Sequence, residues 1–185
     1  MSLPGQEQPP ARQDARDFPE VYKALGIDTS RMGCIFLDLE AIPESLIPPE
    51  EWGYDRGFAA ARQPHSTLLY GLLYPGPEIA EQVDAVLADW ERPYTIRTEG
   101  VLAFDTPAHV AFQPIVLKVG RGSQHALHEA NQQLQLLPHI RTFRDYNPHI
   151  TIGYADKAHV DKVMDFYAAR NTYIQLDCYG INYGE

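Results

Sequence analysis

The stretch "QPHSTLLYG" at residues 63–71 returns 84 positions later as "NPHITIGYA" at 147–155. An amide, Pro64 or Pro148, a histidine, a threonine two places on, an aliphatic residue and a tyrosine line up position by position. Of the seven histidines only His65 and His149 carry a threonine two residues later, so an internal duplication is the economical reading. A duplicated segment must fold the same way twice, which confines the chain to an architecture of two related halves.

Each copy reads as a strand. Side chains alternate faces along a strand, so His65 shares a face with Thr67, and His149 with Thr151. Leu68, Tyr70, Ile152 and Tyr154 then point the other way, into the packing. A proline before each histidine suits the first position of a strand, where no ladder hydrogen bond is lost.

"MGCIFLDLE" alternates as a half-buried strand with Ile35, Leu37 and Leu39 on one face. "PEIAEQVDAVLADW" has helical spacing of Ile79, Val83, Val86, Leu87 and Trp90. "YTIRTEGVLAFD" and "HVAFQPIVLKVG" read as strands, with Pro114 hinting at an edge or a bulge. "SQHALHEANQQLQLL" is a second helix, "DKAHVDKVMDFYAAR" a third, and "TYIQLDCYGINYG" a last strand. "IFLD" (35–38) and "IQLD" (174–177) echo one another and suggest the outer strand of each half. The order excludes a doubly wound parallel sheet. It predicts an α+β fold, bilobal and pseudo-symmetric, with two antiparallel sheets flanking a central cleft and helices outside. Residues 1–17 are expected to be a flexible tail, and 18–185 one bilobal domain. The connection 41–63, with three prolines, Trp52 and Tyr54, is expected to lie over a site as a flap.

Composition limits the partners. A formal charge of -10 opposes the counterion-releasing basic surface that long nucleic acid needs, though local cations such as Arg141 and Arg144 could hold a small anion. No apolar run approaches the roughly 20 residues of a membrane span, and no signal-peptide pattern opens the chain, so a cytoplasmic location is expected. Two cysteines, Cys34 and Cys178, read as buried thiols, with a pairing left open.

If the two halves face each other, two imidazoles and two hydroxyls converge on one point. That set suits phosphodiester cleavage without a metal or other cofactor. One imidazole takes a proton from the attacking hydroxyl, its partner gives one to the leaving oxygen, and the threonines donate to the non-bridging oxygens. A zinc site would want a third ligand at suitable spacing, for which threonine is a poor substitute. "HALHE" (125–129) reads as a solvated helix face. "VGRGS" (119–123) reads as a strand-to-helix turn with Ser123 as cap.

"HSTL" and "HITI" resemble the paired motifs of the 2H phosphoesterase superfamily. The resemblance implies the bilobal fold, a metal-independent mechanism, and catalytic roles for His65, Thr67, His149 and Thr151. Within it, "GCIFLDLE", "HSTLLYGLL" and "PHITIGYA" look most like phage-encoded enzymes that degrade cyclic di- and trinucleotide messengers and so silence bacterial CBASS immunity. By that likeness the partner is a small anionic nucleotide cut at 3′,5′ linkages, with Phe36, Tyr94 and Tyr183 as base-stacking candidates and Asp177 as an acidic contact. An RNA-processing 2′,3′-cyclic phosphodiesterase or 2′,5′ ligase, and a non-catalytic nucleotide sponge, stand as the alternatives.

Overall fold

The computed structural model describes residues 24–26, 28–55, 64–141 and 145–184. Seven strands form: β1 (Gly33–Leu39), β2 (Tyr54–Asp55), β3 (His65–Leu72), β4 (Thr95–Ala103), β5 (Phe112–Val119), β6 (His149–Asp156) and β7 (Gln175–Gly184). Among the described residues three α-helices lie between them: α1 (Ala80–Val86), α2 (Arg121–Leu134) and α3 (Val160–Ala168). The order expected from the sequence is present, with the two-residue β2 added. The expected tail lies outside the described residues.

All pairings are antiparallel, and the sheet runs β2-β6-β3-β1-β7-β4-β5, with β6 also paired to β5. That last pairing closes a six-strand circuit. One arm is β3, β1 and β7; the other is β6, β5 and the second half of β4, with β2 on its flank. The two expected sheets are therefore arms of one sheet. The "IFLD" and "IQLD" echo does not mark their outer strands, because β1 and β7 are neighbours. A short alternation of apolar and acidic residues is simply what many half-buried strands look like.

The core occupies one face of this sheet. Ile35, Leu37, Leu39, Leu68, Ile96, Ile115, Leu117, Ile150 and Ile152 are all at most 1% exposed, and the helices add Val83, Leu127, Leu134 and Val163. The helices pack on that face, and the opposite one, which carries the histidines, is the inner face. Each fully buried aliphatic side chain contributes about 1.5–3 kcal/mol. Trp90 closes the α1 end, its indole Nε1 donating to Ala126 O of α2 at 2.8 Å.

Both histidine strands carry the same irregularity. On β3 the partners of β1 jump from Thr67 to Leu69, leaving Leu68 as an extra residue; on β6 the partners of β5 jump from Thr151 to Gly153, leaving Ile152 extra. These are β-bulges one residue after each threonine, and a bulge shifts the alternation of faces. The expected inward packing of Tyr70 and Tyr154 is thereby overturned. Both are half-exposed and return to the side of the histidines, opposite Cys34 and Pro114.

A bulge also leaves a carbonyl without its ladder partner, and each is supplied by a buried side chain. Asn131 Nδ2 of α2 donates to Leu68 O at 2.6 Å, and the Tyr54 hydroxyl of β2 donates to Ile152 O. Gly153 makes room for the second contact, since a Cβ there would fall 2.3 Å from the Tyr54 ring.

Several local expectations change. Residues 41–55 are built into the core rather than laid over it: Leu46 and Tyr54 are buried, and the Tyr167 hydroxyl of α3 donates to Leu46 O at 3.0 Å. Residues 56–63 of the expected flap lie outside the described residues. Helix α2 begins at Arg121 with Gly120 as its cap, so Ser123 sits inside the first turn and its Oγ accepts from Arg97 N at 2.9 Å. Pro114 is not on an edge strand, since β5 lies between β4 and β6. Phe104 N donates to Pro114 O at 2.9 Å and proline has no N–H to return, so the β4–β5 ladder ends there, while the expected bulge lies one residue on, between Ile115 and Val116 in the pairing with β6.

Replacing Asn131 by alanine, or Tyr54 by phenylalanine, strands one buried carbonyl and should cost about 1–3 kcal/mol each in urea unfolding. Cys34 is buried, Cys178 is half-buried, and no disulfide joins them. Burial pushes the Cys178 thiol up to about 11. Iodoacetamide at pH 8 should therefore modify neither cysteine until the protein is unfolded, checked by intact mass.

Candidate active site

The two halves meet where β4 pairs with β7 and again where the two histidine strands pair. Ser66 of β3 pairs with Ile150 of β6, and both are fully buried on the core face. Antiparallel register then sets His65 across from Thr151, and Thr67 across from His149. All four side chains stand on the inner face and all four are half-exposed. Directly opposed residues have Cβ atoms about 4.5–5.5 Å apart and diagonal ones about 7–8 Å, so the histidines lie diagonally across a square whose other corners are the threonines. The sequence placed these four on two faces brought together; the structure makes those faces one continuous surface.

Each imidazole has an aromatic wall. Phe36 of β1 lies with its ring centroid 4.3 Å from that of His65, and Phe104, just past β4, 4.8 Å from that of His149, edge-on at 77°. Phe36 was legible as a non-core residue of its strand. Phe104 was missed, because it follows the strand end and pairs with nothing in the repeat.

Orientation comes from the backbone. His149 Nδ1 lies 2.7 Å from Asn147 O, and a carbonyl only accepts, so the hydrogen sits on Nδ1 and Nε2 is left to exchange protons. The Tyr146 hydroxyl donates to Thr67 O at 2.9 Å, tying the segment before β6 to the strand of the other half. Burial pushes the Tyr146 phenol above its ordinary value, so it stays a donor at any working pH.

The remaining expected contacts are spread out. Asp177 is exposed at the start of β7, two strands from His65, where its amide donates to Glu40 Oε1 at 3.0 Å. Tyr94 is 87% exposed ahead of β4, its carbonyl accepting from Cys178 N. Tyr183 pairs with Ile35, which turns it to the helix-covered face, and its hydroxyl donates to Asp84 of α1. It is therefore removed from the face that carries the histidines. That reversal comes from the register of β7, which a single strand's sequence does not reveal. Arg141 is exposed before β6, and Arg144 lies outside the described residues.

The rest of the inner face divides by lobe. Beside His65 are Asp38, Asn182 and Gly180; beside His149 are Lys118, Val116, Leu102 and Pro114. Among the described residues no group of three histidine, cysteine, aspartate or glutamate side chains is placed to hold a metal ion. None of the described helices is long and apolar enough to cross a membrane.

The 2′-5′ RNA ligase superfamily matches the chain over residues 41–181, a span that includes both histidine strands. Two solved structures have the same fold. That of Usb1 from Kluyveromyces marxianus superposes with a TM-score of 0.54 at 12% identity, covering 82% of this chain and 92% of that one. The same Usb1 with uridine monophosphate gives 0.54 at 13% identity, covering 85% and 96%. No curated protein matches.

Tyr146→Phe removes the bond to Thr67 O while keeping the ring, and should lower stability by about 1 kcal/mol, read as a shifted urea midpoint at unchanged slope.

Proposed function

The chain belongs to the 2′-5′ RNA ligase superfamily, and on that footing we propose that it is a metal-independent phosphodiesterase of small nucleotides, cutting 3′,5′ linkages of cyclic di- or trinucleotide messengers. The observation that carries this reading is the Ser66–Ile150 pairing. It puts two imidazoles and two hydroxyls within reach of one phosphate, which is what in-line displacement requires. A phosphate seated over the pairing meets a histidine on either side along one diagonal and a threonine on either side along the other. One imidazole removes the proton of the attacking hydroxyl and the other protonates the leaving oxygen, each step contributing about 10²- to 10⁴-fold. The threonine hydroxyls donate to the non-bridging oxygens as charge builds, about 10²- to 10³-fold per donor when water is excluded.

A small cyclic substrate agrees with the charge of -10, which would repel a long polyanion. The lobe around His149 offers the apolar surface of Leu102 and Phe104 on which a base can lie. Such an activity would let a phage disarm CBASS immunity. A second reading, an RNA-processing 2′,3′-cyclic phosphodiesterase or 2′,5′ ligase-like enzyme, is favoured by the family match.

Purified protein treated with EDTA is to be incubated with cyclic GMP-AMP, cyclic tri-AMP and a short RNA. Cleavage of the cyclic compounds is the expected result; cleavage of the RNA alone would move the assignment to the second reading. Ligand held intact would make the protein a sponge. His65→Ala and His149→Ala should each lower kcat by about 10²- to 10⁴-fold, and Thr67→Val and Thr151→Val by about 10²-fold or more, with the fold checked by circular dichroism.

A further inference from the structure

The duplication makes β1 and β5 equivalent, each being the strand beside its histidine strand on the side away from the other half. Their residues opposite the histidines are not equivalent. Asp38 pairs with His65, and Lys118 pairs with His149. Pairing places both charges on the inner face with their histidine, at a Cβ separation of about 4.5–5.5 Å.

We propose that these opposed charges divide the catalytic labour: Asp38 holds His65 in the protonated form as general acid, and Lys118 holds His149 neutral as general base. The assignment rests on the phosphodiesterase reading for its chemistry and on strand register for its geometry. An imidazolium beside a carboxylate is favoured, and one beside an ammonium is disfavoured. Asn182 Nδ2 of β7 donates to Asp38 Oδ2 at 3.1 Å and steadies that carboxylate on the same face. On the other side, the Nδ1 hydrogen of His149 is taken up by Asn147 O, leaving an Nε2 lone pair to receive a proton.

Other charged groups stand on both sides among the described residues. Near His65, Glu40 and Asp177 have the same sign as Asp38, β6 contributes the uncharged Thr151, and the Arg92 guanidinium, opposite in sign, lies beside Gly180, the β7 partner of Asp38, with Nη1 3.4 Å from Tyr179 O. Near His149, β3 contributes the uncharged Thr67, Asp105 lies 3.3 Å from the Gln113 amide, and β4 sets Glu99 alongside Lys118, its Oε2 accepting from Arg121 N at 3.2 Å. Arg141 and Asp145, in the segment before β6, are opposite in sign to each other. Lys118 is thus the charge facing His149 from its neighbouring strand.

The step balances. His149 Nε2 takes the proton of the attacking hydroxyl, the P–O bond to it forms, and the P–O bond to the leaving oxygen breaks as His65 delivers its proton there. The enzyme ends with His149 protonated and His65 neutral, and exchange with solvent restores the start. The substrate therefore binds with one polarity, its attacking oxygen on the Lys118 side and its leaving oxygen on the Asp38 side.

The test needs no substrate. Titrating the histidine Cε1–H signals by NMR at low ionic strength should show His65 releasing its proton at higher pH than His149. Asp38→Asn should lower the His65 midpoint by about half a pH unit, and Lys118→Met should raise that of His149 by a similar amount. The exchanged pair Asp38→Lys with Lys118→Asp should invert the order. Midpoints in the reverse order in the wild type, or midpoints that ignore these substitutions, would overturn the assignment.

With a cyclic dinucleotide the same variants should narrow the kcat/KM profile from both sides. Lys118→Met moves the acidic limb, set by the base, to higher pH, and Asp38→Asn moves the basic limb, set by the acid, to lower pH. A purely structural role would lower the whole profile without moving its limbs. Titration in the expected order with no cleavage of any nucleotide would sink the phosphodiesterase reading and leave the charge assignment standing; cleavage with the reverse order would do the opposite.

Discussion

A single unpaired residue in each histidine strand, Leu68 in one and Ile152 in the other, is the constraint around which the rest is arranged. A strand that alternated without interruption would hold His65, Thr67 and Leu69 on the inner face and carry Tyr70 into the core. The bulge resets the alternation after the threonine, so Leu69 is buried and Tyr70 rejoins the side of the histidines. Bulges persist where their loose backbone groups are satisfied. Here the two solutions differ in chemistry, an amide from α2 on one carbonyl and a phenol from β2 on the other. Duplication conserved the backbone irregularity while the side chains that satisfy it diverged.

That difference explains why residues 41–55 cannot be a lid. Tyr54 is needed beneath β6 for the same reason that Asn131 is needed beneath β3, and the room for it comes from Gly153, where the first copy has Leu69. Residues 41–55 therefore belong to the second half of the molecule in space while preceding it in sequence. Together with the Tyr146 bond to Thr67 O, this crosses the chain between halves twice and holds the strand pairing at Ser66 and Ile150 in register.

The strand and helix order, the pairing of histidine with threonine, and the common face of these four were legible, because period-two alternation and a repeated nine-residue pattern are local signals. What was not legible is all non-local. The closure of two sheets into one circuit depends on β6 pairing with both β3 and β5, and no stretch of either strand records two partners. Tyr70 and Tyr154 were misplaced because a bulge is a mismatch between two strands, invisible in either one. Tyr183 and Phe36 are both aromatic residues in strands, yet register sends them to opposite faces. Phe104 carries no pattern at all, and only the fold brings it to His149.

Pseudo-symmetry alone would make a poor acid–base catalyst. Two identical imidazoles over one ester would share their proton equally, and half of the singly protonated molecules would have acid and base in each other's place for a given substrate orientation. Breaking the symmetry can cost little if it is done outside the repeat, on strands that need only present a small polar or charged side chain beside the histidine. Residues 38 and 118 satisfy that condition: both lie on the strand neighbouring their histidine, both are half-buried, and neither belongs to the repeated nine residues. The histidine strands keep the repeated residues in both halves, and the equivalent strands beside them carry the residues in which the halves differ, Asp38 and Lys118.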